Sequence, residues 1–228
     1  MNIFAQIRNA DPSYEPPCIF DIGANVGQTV AQIRKIYRDV PVHAFEPIST
    51  THAMLQAAVA GDAATQTHRI AFAGRAGTAR MQARPGVVVN RIITGPGTPP
   101  NMPTEEVEVA TGDAFCAAQG ISEIGILKVD TEGHDLEVLA GFHGMLAARR
   151  VRYVEAECAV SPRNTMHVPF QRIADYMFAF GYGLFGLFPS GIHPKGYANL
   201  QSGKRDRGIW FGNAVFIAEP WPEDAIPM

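Results

Sequence analysis

A chain of 228 residues with 46% hydrophobic and 18% charged side chains has enough apolar mass to bury one core, and too little charge to stay unfolded. Its formal net charge of −3 supplies no global positive field for nucleic acid or an anionic membrane surface. No apolar run approaches the length of a membrane span, and the opening "MNIFAQIRNADPSYEPP" lacks a basic start followed by a long apolar segment. Cys18, Cys116 and Cys158 are odd in number and far apart, so neither a disulfide framework nor a zinc site is expected, and a reducing cytoplasm is the default location.

In chain order, residues 1–17 read as an N-terminal extension. "CIFDIG" then reads as a short buried strand ending in Gly23, and Val26, Val30, Ile33 and Tyr37 recur at helical spacing. Asn25, with Gln28 three residues later, predicts a helix start of capping-box type. "VHAFEP" predicts a second strand stopped by Pro47, residues 49–60 a helix, and "THRIAFA" a third strand. Between residues 74 and 103 the pattern breaks into the alternating "GTARMQA" and the turn-forming "TGPGTPPNMP", read as an insertion, edge hairpin or lid. "EEVEVAT" resumes as a strand, 112–119 is at most a short helix, and "IGILKVD" is the next buried strand. Leu136, Val138, Leu139, Phe142 and Leu146 stripe one helix, and "VRYVEAE" follows as a strand. Phe170, Ile173, Ala174, Met177 and Phe178 give an apolar helical face between Pro169 and Gly181. "GYGLFGLF" and "GIWFGNAVFI" close the chain as strands, the last apolar on both faces and therefore central.

Repeated strand–helix units predict one α/β domain over 1–228: a Rossmann-like, doubly wound, mostly parallel seven-stranded sheet with helices on both faces and a C-terminal antiparallel hairpin. In such sheets ligands bind beyond the carboxyl ends of the strands. The turn "FDIGANVGQT" sits at the first of these ends. Gln28 and Thr29 stand where a phosphate-gripping loop needs Lys and Ser or Thr, and the GxGxxG dinucleotide pattern is missing. A tight turn without a ligand remains an alternative. Glu46, ending the second strand, is placed to accept hydrogen bonds from a ribose. Asp21 beside the loop disfavours a pyrophosphate and suits a ligand bearing positive charge. S-adenosylmethionine has a ribose, an ammonium and a sulfonium, and no phosphate.

"FDIGANVGQT", "HAFEP" and "ILKVDTEGHDLEVLAG" together resemble the FkbM-type methyltransferases, a branch of the class I S-adenosylmethionine-dependent enzymes. The similarity runs from about Cys18 to Gly141 and more loosely through "YVEAE" and "GNAVF". The resemblance implies that Asp21, Gly23, Asn25 and Gly27 line the methionine part of the cofactor, that Glu46 binds the ribose, and that Pro47 shapes the adenine edge. Asp135 stands where the family usually has a glutamate, and His134 is a local departure.

Asp130 and Glu132 leave one strand, and Glu155 and Glu157 share a face of the next. Glu155 is expected to be solvated or paired with Lys128, Arg149, Arg150 or Arg152; Asp135 and Glu137 favour the helix N-terminus electrostatically. Methyl transfer to a hydroxyl needs a base or a divalent metal to stabilise the alkoxide. Asp130, Glu132 and His134 are the candidate catalytic residues; Asp130, Glu132 and Glu157 are the candidate ligands should a metal serve. The activity expected is O-methylation of a sugar, glycoconjugate or secondary-metabolite hydroxyl; alternatives are N-methylation of a small amine or non-catalytic cofactor binding. The partner expected is a small-molecule or glycan acceptor, with a second copy of the chain left open and no nucleic acid. Residues 190–208, with His193, Lys195, Lys204, Arg205 and Arg207, read as a substrate-recognising loop for an anionic or glycosylated acceptor, or as a solvated connection.

Overall fold

Strand β1 (Ile19–Ile22) is buried at every residue because it pairs in parallel on both sides, with β2 (Val42–Phe45) and β7 (Ile124–Val129). Strands buried on both faces read as continuous apolar runs, which is why these three stood out in the sequence. The computed structural model describes residues 2–83, 90–93, 101–192 and 209–219. The seven-stranded sheet has the order β3-β2-β1-β7-β8-β10-β9, with β3 at Thr65–His68, β8 at Val151–Ala159, β9 at Tyr182–Ile192 and β10 at Ile209–Ala218. Strands β9 and β10 form the antiparallel C-terminal pair, and β10 lies between β8 and β9 as its two apolar faces required. Strand order reverses between β1 and β7, so the cleft for a ligand opens there.

Helices cover both faces. On one face Phe20, Ile22, Leu127, Val129 and Val154 pack against α4 (Gly112–Gln119), α5 (Asp135–Gly141), α6 (His143–Ala147) and α7 (Phe170–Ala179) through Cys116, Leu139, Leu146, Ile173 and Met177. On the other, Ile19, Val42, Ile126, Tyr153 and Val215 meet α1 (Ile3–Ala10), α2 (Gln28–Arg34) and α3 (Ser49–Ala58) through Phe4, Ile7, Val30, Ile33 and Leu55. Cys18, Cys116 and Cys158 are buried and unpaired. Among the described residues no helix is long and apolar enough to cross a membrane.

Four local readings are corrected. The N-terminal extension contains α1, whose first turn is capped by the Asn2 side chain accepting from the Ala5 N–H at 3.2 Å. Asn25 does not cap α2: it has a φ of 49°, and Gly27, at 93°, takes the cap position without a side-chain bond. The third strand begins earlier, at Thr65, and the chain then leaves the main sheet. Residues Ala71–Phe72 (β4) join β5 (Gly77–Gln82) and β6 (Thr104–Ala110) in a second sheet of order β4-β6-β5, so "EEVEVAT" is not one of the seven strands. The single stripe through Leu146 is two helices. Asp113 of α4 accepts from the Gly144 and Met145 N–H groups at 2.7 and 2.9 Å, starting α6 with a cap from a distant element. Of the inserted segment, residues 84–89 and 94–100 lie outside the described residues, as do 193–208 of the polar loop.

Beneath β2 and β3, His43 Nδ1 and His68 Nε2 lie 3.1 Å apart among Phe45, Phe72 and Phe115. Burial, then the charges of His43 and His52, lowers the His68 pKa to about 4; burial also lowers those of His43 and His52. The unfolded chain therefore binds more protons between about pH 6.5 and 4, so stability from this cluster is full above that window and is lost as pH falls through it. His68→Gln is expected to remove on the order of 2 kcal/mol of this acid sensitivity. Urea denaturation of both proteins at pH 7.5 and 4.5 checks it, and an unchanged difference between them at the two pH values rules it out.

Candidate active site

Four strand ends converge on one cavity of about 350 Å³. The loop after β1 contributes Gly23, Ala24 and Asn25; β2 contributes Phe45, Glu46 and Pro47; the loop after β7 contributes Asp130 to Glu132 and His134; β8 contributes Glu157. Ile70, Ala71 and Phe72 supply an apolar wall, and Met81, Asn90 and Ile92 of the inserted segment close one side. The volume lies in the range of small-molecule sites.

Gly23 is required twice. Its φ is 83°, and a Cβ there would sit 1.9 Å from the Asp130 carbonyl oxygen. The loops after β1 and β7 thus touch backbone to backbone at the switch in strand order, a contact only glycine permits. Gly27 is different: a Cβ would meet Leu55 and Ala58 of α3, and the residue packs that helix rather than lining the cavity. Gly23, Asn25 and Gly27 all have positive φ, and the Gly23, Ala24 and Gly27 N–H groups donate to the Phe45 and Ala24 carbonyls, while the Asn25 N–H meets an anion. The anion is supplied by the protein. Glu46 accepts from the Asn25 backbone N–H and from the Ile48 N–H at 2.9 Å. Burial still raises its pKa to about 7 against those two donors. A carboxylate so fixed retains acceptor capacity toward the cavity for a diol.

Asp21 does not reach the cavity. It is fully buried under the loop, with Lys128 Nζ 3.4 Å away, and burial raises its pKa against that positive charge. Register places Asp21 opposite Lys128, and Lys128 opposite Glu155, in one row across β1, β7 and β8. Lys128 Nζ also lies 3.2 Å from Asp130 Oδ2; these acids hold its pKa above the ordinary lysine value despite burial. Glu155 accepts from Asn213 Nδ2 at 2.9 Å, a structural place rather than a site one.

Glu132 has a φ of 55°, an uncommon conformation for a side chain of its size, and burial followed by the charges of Asp130 and Glu157 raises its pKa to about 7. Gly133, at φ 99°, abuts the Met166 carbonyl, which locks this turn against the loop before α7. The buried Asp135 carboxylate accepts from the Gly133 N–H and the Thr131 hydroxyl at 3.3 and 3.4 Å, holding the turn from below. His134 is kept neutral by burial, which lowers its pKa, and its Nδ1 is buried with no hydrogen-bond partner among the described residues.

The acids expected to gather a metal separate. Asp130 turns to Lys128, while Glu132, Glu157 and His167 bring donor atoms within 4.8 Å of one another. His167, in the loop between β8 and α7, went unnoticed in the sequence. A histidine and an asparagine beyond the carboxyl end of β8 were the available signal, since that loop borders the cleft.

A family model for the FkbM methyltransferase domain matches residues 21–184. The chain belongs to the FkbM methyltransferase family. A relative, 31-O-demethyl-FK506 methyltransferase FkbM of Streptomyces tacrolimicus, is 29% identical over 167 residues, 61% of this chain and 64% of that protein. The match thus spans slightly less than two thirds of the relative's length. The fold is similar to magnesium protoporphyrin IX methyltransferase of Synechocystis PCC 6803, solved with bound S-adenosylmethionine: TM-score 0.53, 10% identity, covering 95% of this chain and 76% of that one. It is also similar to M. capricolum TrmK, solved with S-adenosylhomocysteine: TM-score 0.52, 9% identity, 96% and 69% covered. The chain shares their Rossmann-like fold, a mostly parallel sheet with helices on both faces.

Proposed function

We propose that the protein transfers a methyl group to a hydroxyl of a sugar, glycoconjugate or secondary-metabolite acceptor. The observation that carries this reading is a cavity that brings together Glu46 on one wall and Asp130, Glu132, His134 and Glu157 on the other. Glu46 is positioned for the ribose, Gly23 and Asn25 for the methionine part, and Pro47 with Phe45 and Phe72 for the adenine. Asp21 and Gly27 shape that loop from behind. Bound S-adenosylmethionine supplies an electrophilic methyl group on a positively charged sulfur. The acidic wall favours a cationic ligand in the cleft and places proton acceptors beside an incoming hydroxyl. A relative whose name specifies 31-O-demethyl-FK506 supports oxygen as the receiving atom.

The test is transfer from methyl-labelled S-adenosylmethionine to a panel of methyl glycosides and hydroxylated macrolactones, 31-O-demethyl-FK506 among them. Glu46→Ala is expected to weaken cofactor binding about 100-fold, since two hydrogen bonds to a charged acceptor are lost. Calorimetry decides; an unchanged affinity removes the ribose from Glu46.

A further inference from the structure

We propose that Glu157 is the proton acceptor of the methyl-transfer step, and that His167, fixed by Asn164 as its Nε2–H tautomer, is the residue that positions it. This rests on the O-methylation reading above.

The three side chains are all buried, with Asn164 5%, His167 8% and Glu157 9% exposed. His167 Nε2 lies 2.9 Å from Glu157 Oε2, and His167 Nδ1 lies 2.8 Å from Asn164 Nδ2. The Asn164 amide has one consistent orientation. Its Oδ1 accepts from the Met166 and His167 backbone N–H groups at 2.9 and 3.2 Å, and its Nδ2 also donates to the Trp210 carbonyl at 3.2 Å. Turning the amide over would abandon three bonds. Nδ2 therefore donates to His167 Nδ1, which must carry no proton, and the ring proton sits on Nε2, aimed at Glu157. The Phe211 ring, stacked 4.7 Å from the imidazole, fixes its plane.

This arrangement disfavours the metal. A neutral histidine ligand must offer a bare nitrogen, and here the bare nitrogen faces an N–H while the one beside Glu132 and Glu157 carries hydrogen. Burial lowers the proton affinity of His167 and the nearby acids, Glu157 first, raise it to a net increase, but the second proton would have to enter at Nδ1, against the Asn164 amide. What remains is a carboxylate on the cavity wall, held by an N–H donor that stabilises its negative charge. Burial, then the charges of Asp130 and Glu157, raises the pKa of its neighbour Glu132. Of the two carboxylates, Glu157 is the one fixed by an N–H donor at 2.9 Å while lining the cavity, the geometry of a positioned proton acceptor. In the step, the acceptor O–H bond breaks and its proton passes to Glu157, while the acceptor oxygen bonds to the methyl carbon. The carbon–sulfur bond breaks with its electron pair going to sulfur, and Glu157 later releases the proton to solvent.

The first readout needs no acceptor. Long-range proton–nitrogen correlation spectra of histidine-labelled protein at pH 7 are expected to show His167 as the Nε2–H tautomer, unmoved by one equivalent of Zn²⁺. An Nδ1–H tautomer, an imidazolium, or a shift on adding zinc overturns the proposal. The second readout uses the panel above. Glu157→Gln is expected to lower kcat about 100-fold, within the range for a lost base, with cofactor KM and calorimetric affinity unchanged. His167→Phe is expected to lower kcat about tenfold, and His167→Gln, which retains an N–H donor, to recover part of that loss. A larger loss in Glu132→Gln than in Glu157→Gln, or full kcat in Glu157→Gln, overturns the assignment. Should the wild type bind S-adenosylmethionine but methylate nothing in the panel, the acceptor class above fails while the spectra still decide the tautomer.

Discussion

Lys128→Met is expected to cost about 3 kcal/mol of stability or more at neutral pH, the order seen when one partner of a buried ion pair is removed. Lys128 is the only cation in the described row that joins Asp21, Lys128 and Glu155 across three strands, and it also pairs with Asp130. Without it, Asp21 loses its cation and Glu155 keeps only the Asn213 amide, while burial already raises both pKa values, Glu155 to about 7. A carboxylate whose folded pKa lies above its unfolded one is tolerated below the unfolded value and becomes a liability as pH rises through the folded value. The loss should therefore be smaller at pH 5 than at pH 8. Adding Asp21→Asn should restore part of it, because the two changes share one interaction. Urea denaturation of the single and double variants at both pH values is the measurement. Wild-type stability in Lys128→Met at pH 8 would show that the row carries no net energy.

Gly23→Ala is expected to cost on the order of 3 kcal/mol and to abolish measurable cofactor binding. The added Cβ meets a backbone carbonyl, Asp130 O at 1.9 Å, and not a side chain that can swing aside. Relief requires the loops after β1 and β7 to separate, which opens the cleft where the cofactor and the acceptor wall meet. Gly27→Ala is the control: its φ is equally left-handed, but its nearest neighbour is Leu55 Cδ1 at 3.3 Å. It should cost only about 1 kcal/mol, the intrinsic penalty of the conformation. Equal melting temperatures for the two variants would mean that the contact with Asp130 matters no more than backbone strain.

The sequence by itself determined the alternation of strands and helices, the central place of β10, and the strand ends at which Gly23, Glu46 and Asp130 stand. These are written in local periodicity and in residues whose backbone demands are intrinsic: a strand buried on both faces must be apolar throughout, and a tight left-handed turn selects glycine. Tertiary structure decided what depends on partners distant in the chain. Asp113 starts α6 from another helix, and β6 left the main sheet to pair with β5, neither of which local pattern can express. Asp21 sits two residues from a cavity-lining glycine, yet it faces Lys128 beneath the loop, because it lies within β1 while Gly23 has turned out of the strand, and register sets Lys128 opposite it. His167 and Asn164 were ordinary loop residues until the fold set them behind Glu157. Ten residues separate Glu157 from His167 in the chain, and only the return of the loop beyond β8 brings Nε2 within 2.9 Å of the carboxylate.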